Sequence, residues 1–156
     1  MGKKEPRRFS RLRAFQVLYG LEFSPATDSG ELERKFTKAP PPDEQQADDL
    51  EEYESETQGF AWDLCLGVWT HKEQLDELVT RFSKHWKLSR IARVELVILR
   101  LSLFEMLHRS DVPVKVSINE AIELAKHFGD DNSPGFVNGI LDAAAKALEH
   151  GEIGLH

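Results

Sequence analysis

The sequence predicts an all-α protein, and three observations carry that prediction. No segment sustains the alternation and β-branched enrichment of a strand. Apolar residues recur instead at three-, four- and seven-residue steps along most of the chain. Helix start and stop signals punctuate these runs, notably Pro25, Gly129 and the Ser133-Pro134 pair. About six or seven helices are expected, too short and unequal for a simple up-and-down bundle, so compact orthogonal packing is expected within a single domain over residues 1–156.

Leu12, Phe15, Leu18 and Tyr19 share one side at about 100° per residue, which predicts a first helix from Phe9 or Ser10 to Phe23, with Ser10 as its cap. Arg8 would point into that apolar face, so the helix is expected to begin after it. Pro25 and the Thr-Asp-Ser-Gly run end it. A short helix is expected over residues 31–37. Residues 38–56 are proline-led and then acidic, with few apolar anchors, and read as a mobile loop.

Across residues 58–85, Phe60, Leu64, Val68, Leu75, Leu78, Val79 and Phe82 support one long helix or two joined near His71. Trp62, Trp69 and Trp86 add core or interface area. In residues 91–107, twelve of seventeen side chains are apolar and occupy every angular sector, which predicts a central helix surrounded by others. Its polar residues form two thin lines, Arg93 with Arg100 and, roughly opposite, Glu95, Ser102 and Glu105.

Ser117 and Glu120 read as a capping box, with Val116 stapled to Ala121 across it. Ile118, Ala121, Ile122, Ala125 and Phe128 then share a face, and Gly129 ends the helix. The last helix starts with Ser133 as N-cap and Pro134 at its first position, and buries Phe136, Val137, Ile140, Leu141, Ala144 and Leu148. Gly139 inside it costs ~1 kcal/mol relative to alanine, which predicts a close backbone approach by the central helix.

Net charge is −7, but it is distributed in blocks. Residues 1–20 carry a net +5, residues 22–63 a net −10, and residues 64–156 a net −2. Such asymmetry predicts a basic arm for a polyanion and an acidic loop that repels one. The single cysteine, Cys65, excludes an intramolecular disulfide and points to a reducing, cytoplasmic setting. Gln16, Gly20 and Glu22 interrupt the early apolar run, so no signal peptide is expected, and charges within residues 91–107 exclude a membrane span there.

Catalysis is not expected. None of the six histidines pairs with another at the spacing of a helical zinc motif, cysteines do not cluster, and no Gly-x-Ser-x-Gly stretch occurs. Gly129, Gly135 and Gly139 match neither nucleotide fingerprint, so no cofactor or metal is expected.

The arm is the more informative feature. With Ser10 as cap, Arg11 and Arg13 sit in the first helical turn, where the macrodipole disfavours cations by about a few tenths of a kcal/mol each. Helix stability does not explain them. Arginine offers a planar fork for phosphate and stacks on bases, and Gln16 one turn on can bond a base edge. A solubilising arm is the alternative; a membrane-surface helix is weaker, since the polar face lacks enough lysine. At Ser133, a helix N-terminus offers N–H groups to a phosphate, but Asp130 and Asp131 would repel it, which favours a simple cap.

The stretches RLRAFQVLYGLEF, RIARVELVILRLSLFEML, SDVPVKVSINEAIELAKHFG and FVNGILDAAAK together resemble the NusB family of bacterial transcription antitermination factors, over nearly the whole chain except the acidic loop. The resemblance implies a non-enzymatic all-helical protein of two small helical bundles. It implies binding of the boxA element of ribosomal RNA leaders together with NusE, a small-subunit ribosomal protein, in the RNA polymerase antitermination complex. The family's arginine-rich start maps onto Arg7, Arg8, Arg11 and, loosely, Arg13, followed by Gln16 and Tyr19 on the RNA side. Its second RNA-contacting region maps onto Phe128, Asn132, Ser133 and Phe136, and Glu95 matches a position facing NusE.

Phe9 and Ser10 interrupt the arginine cluster, Gly135 stands where many relatives place a lysine, and the acidic stretch is long for the family. The resemblance also leaves two other classes open: a helical domain like that of ribosomal RNA cytosine methyltransferases, against which the absence of a cofactor loop speaks, and a protein-only adaptor.

Overall fold

In the computed structural model, residues 6–40, 59–84 and 86–154 are described. They form α1 (Arg7–Leu21), α2 (Ser29–Lys38), α3 (Phe60–Thr70), α4 (Lys72–Phe82), a 3-10 turn (Leu88–Arg90), α5 (Arg93–His108), α6 (Val114–Phe128) and α7 (Ser133–Glu149). Among the described residues there is no strand. The acidic stretch, from residue 41 onward, lies outside them. The chain divides into two compact units, residues 1–69 and 70–156.

In the first unit, α1 begins at Arg7, earlier than expected. Pro6 supplies the extended residue before it and its carbonyl accepts from Ser10 N at 2.9 Å. Ser10 is therefore an interior helical residue, buried rather than capping. Arg8 does not enter the apolar face; Phe9, Ala14, Phe15, Val17 and Leu18 form it and Arg8 points to solvent. α2 is capped by Asp28, whose carboxylate accepts from Glu31 N at 2.8 Å. Glu31 reciprocates by accepting from the Thr27 hydroxyl at 2.6 Å and Thr27 N at 3.1 Å, and those two bonds hold its carboxyl below the usual range. As pH falls through that lowered value, the helix start loses this support.

α3 and α4 are separate helices meeting at His71. In the second unit, α5 packs against α4, α6 and α7, and α6 and α7 pack on each other. Residues 96–107 of α5 are all buried, as an all-round apolar helix requires. Three of its polar side chains lie among them. Arg100 forms a fork on Asp76 of α4, with Nε to Oδ1 at 2.6 Å and Nη2 to Oδ2 at 3.1 Å. Ser102 and Ser117 pair hydroxyl to hydroxyl at 3.0 Å, and each can donate to the other's carbonyl at 3.2 Å. Glu105 is also buried, and among the described residues no buried side-chain polar atom lacks a partner.

Two expected helix starts are corrected by these contacts. Ser117 is not a cap: α6 begins at Val114 behind Pro113, Val116 is exposed rather than stapled, and Ser117 is spent joining α6 to α5. Ser133 is the first residue of α7 rather than its N-cap, and is buried. Asp130 performs the capping: its Oδ1 accepts from Asn132 N at 2.8 Å and Ser133 N at 3.2 Å. Gly129 does end α6, its N–H bonding Ala125 O at 2.9 Å, and a Cβ there would collide with the Ser133 side chain. Gly139 has no such neighbour. A Cβ on it meets open space, so no close helix approach explains it.

Candidate nucleic-acid interface

Along α1, Arg8 is exposed, Arg7, Arg13, Gln16 and Tyr19 are half-buried, and Arg11 is only 4% exposed. The guanidiniums lie over aromatic rings. Arg7 is 4.4 Å and Arg11 5.2 Å from the centroid of Phe60 on α3, and Arg13 is 4.7 Å from that of Phe36 on α2. Phe36 in turn meets Trp62 edge-on at 5.3 Å. Each cation–π contact contributes about 0.5–2 kcal/mol, more where desolvated. Helix stability does not explain these cations, but tertiary packing gives them a structural role: they tie α1 to α2 and α3. The rings that receive them are far away in sequence, which is why local reasoning missed them.

Tyr19 sits in an aromatic ladder at helical spacing, stacked on Phe15 at 5.9 Å and edge-on to Phe23 at 5.2 Å. Phe23 is 59% exposed, and its four-residue step from Tyr19 is legible in the sequence although its exposure is not. Cys65 is buried behind α1, with Sγ 3.8 Å from Ala14 O, and burial pushes its thiol pKa far up. A reactive thiolate is therefore not available there.

In the second unit, Phe128 and Phe136 are half-buried and Asn132 is exposed. The Ser133 hydroxyl accepts from Asp130 N at 3.1 Å and is 2% exposed, so it holds the turn rather than facing outward. Because the Asp130 carboxylate already accepts from Asn132 N and from Ser133 N at the start of α7, the turn is closed by its own acid rather than offered to a phosphate, with Asp130 and not the expected Ser133 as the capping side chain. Phe136 faces Trp86, ring centroids 6.0 Å apart. Glu95 is half-buried in the first turn of α5, where the macrodipole favours an acid.

His71 and His108, remote in sequence, bring their rings to 4.3 Å beside Phe104, with His108 Nε2 3.2 Å from Gln74 Oε1. Among the described residues no group of three His, Cys, Asp or Glu assembles as metal ligands. No helix among them is long and apolar enough to cross a membrane.

A model of the NusB family matches residues 8–146. The chain is 53% identical over 152 residues to the transcription antitermination protein NusB of Oleidesulfovibrio alaskensis, covering 97% of this chain and 95% of that one. The solved structure of T. maritima NusB superposes with a TM-score of 0.72 at 34% identity, covering 97% of this chain and 100% of that one. A crystal structure of antitermination factors NusB and NusE in complex with dsRNA shares the fold, with a TM-score of 0.68 at 21% identity over 91% of this chain and 97% of that one.

Proposed function

The chain belongs to the NusB family, and from that premise we propose that it is a non-enzymatic, cytoplasmic RNA-binding adaptor of transcription antitermination. It binds boxA RNA of ribosomal RNA leaders together with NusE, within the RNA polymerase antitermination complex. One observation carries the reading: cations and aromatics interleave along a single helix, with Arg8 exposed and Arg7, Arg13, Gln16 and Tyr19 half-exposed behind it. That is the combination a single strand requires, guanidiniums for phosphates, a ring for a base and an amide for a base edge. Arg11, buried against Phe60, acts as a positioning residue that fixes the helix end from which Arg7 and Arg8 project.

The second unit contributes Phe136, with Phe128 and Asn132 beside it, as a further RNA contact, while Ser133 shapes their turn. Glu95 faces NusE in this reading. Its place in the first turn of α5 also serves the helix, so its substitution tests both roles. Titration of boxA RNA, alone and with NusE, at two salt concentrations supplies the test. The reading requires salt-dependent binding that NusE strengthens, and Glu95→Ala should reduce the strengthening without altering binding of RNA alone. Absence of RNA binding with NusE present overturns it.

A further inference from the structure

A second basic stretch lies outside the arm. Residues 78–94 contain Arg81, Lys84, Lys87, Arg90 and Arg93 and no aspartate or glutamate, in a chain whose net charge is −7. The cations recur at every third position around Trp86, which is 54% exposed. Averaged into the net −2 of residues 64–156, this stretch disappears, although its spacing was legible in the sequence.

The backbone holds the segment in a defined turn. α4 stops at Ser83, whose N–H bonds Val79 O at 2.9 Å, and Lys84 adopts the left-handed conformation at φ 57°. Trp86 N then reaches back to Ser83 O at 3.4 Å, and the 3-10 turn closes with Arg90 N on Lys87 O at 2.9 Å. The indole emerges between two anchored turns. It lies beside Phe136 at 6.0 Å with the rings tilted by 53°, so the pair does not consume its own faces by stacking. Lys84, Lys87 and Arg90 are exposed, and among the described residues none forms an ion pair; Arg81 is engaged with Glu152 at 3.7 Å. Since four residues of extended chain span at most about 14 Å, the backbones of all three cationic residues lie within that distance of Trp86.

We propose that this segment is an additional single-stranded RNA contact, in which Trp86 stacks on a nucleobase beside Phe136 and Lys84, Lys87 and Arg90 meet the phosphates flanking that base. The proposal rests on the RNA-binding reading above and extends its Phe136 region. A lone exposed indole suits many partners; an acid-free cationic run around it, contiguous with a second aromatic, selects a polyanion that also presents flat rings.

The test titrates single-stranded boxA RNA into the full chain, Trp86→Ala, Trp86→Phe, the Lys84→Gln/Lys87→Gln/Arg90→Gln triple variant and, as reference, Arg8→Gln. Trp86→Ala should weaken binding roughly ten- to hundredfold and Trp86→Phe restore most of it, because a stacking face is what matters. The triple variant should lower the magnitude of the logarithmic salt slope by about 2, at about 0.7 per phosphate contact on a single strand. RNA should also shield the exposed indole from acrylamide quenching. If Trp86→Ala unfolds, the triple variant, confined to exposed side chains, decides alone. Loss of binding in Arg8→Gln with none in the Trp86 and triple variants sinks this proposal and spares the function. No binding by the unaltered chain sinks both. Shielding of Trp86 by NusE or by phosphatidylserine vesicles, but not by RNA, assigns the patch elsewhere and overturns the proposal.

Discussion

Replacing Phe60 by leucine removes the ring that receives two guanidiniums while keeping an apolar side chain of similar size. Arg7, half-buried and 4.4 Å from the ring centroid, contributes about 1 kcal/mol, and Arg11, desolvated and 5.2 Å away, about 1–2 kcal/mol. Loss of ring packing adds about 1 kcal/mol, so Phe60→Leu should cost roughly 3–4 kcal/mol in urea denaturation followed by circular dichroism. The packing loss contaminates that figure. A double-mutant cycle with Arg11→Met removes it and should leave a coupling of about 1–2 kcal/mol between the two positions. A coupling below about 0.3 kcal/mol would refute the idea that the arm is held by its arginines on this ring. RNA affinity should fall in Phe60→Leu as well, because Arg7 and Arg8 then project from a loosened helix end.

Asp76→Ala removes the carboxylate that receives both Nε and Nη2 of Arg100, whose side chain is 7% exposed, and should destabilise the chain by about 3 kcal/mol; a loss below about 1 kcal/mol in urea would show the pair to be dispensable. Gly139→Ala, with open space at its Cβ, should raise stability by about 0.5–1 kcal/mol and leave RNA affinity unchanged. The Cys65 thiol, buried and with its pKa pushed up, should react with an aromatic disulfide reagent only after denaturant unfolds the chain; rapid labelling of the native protein would contradict its burial.

Helices were legible where an apolar period ran uninterrupted. The central helix was evident from its all-round apolar surface and the stop at Gly129 from local pattern, whereas the apolar period across His71 suits one long helix as well as the two that form. Caps were less legible, because a serine three residues before a glutamate looks the same whether it ends a helix or joins two. At Ser117 the tertiary partner Ser102 decided the matter, and at Ser133 the neighbouring Asp130 took the capping role. The arginine arm was visible as charge, but its burial was not. Arg11 is buried and lies over Phe60, nearly fifty positions away in the sequence, while Arg8, three residues before it, is exposed. Trp86 reads in the sequence only as apolar area, since its cationic neighbours vanish in a block average of charge.

Whether the exposed Arg8 and the half-exposed Arg7 and Arg13 of α1 grip a polynucleotide is decided by the salt dependence of boxA RNA binding to the unaltered chain and to Arg7→Gln/Arg8→Gln/Arg13→Gln. The log–log slope should be shallower by about 2 in the variant, with weaker binding at low salt and an unchanged circular dichroism spectrum. An identical slope in the two proteins would contradict such a grip.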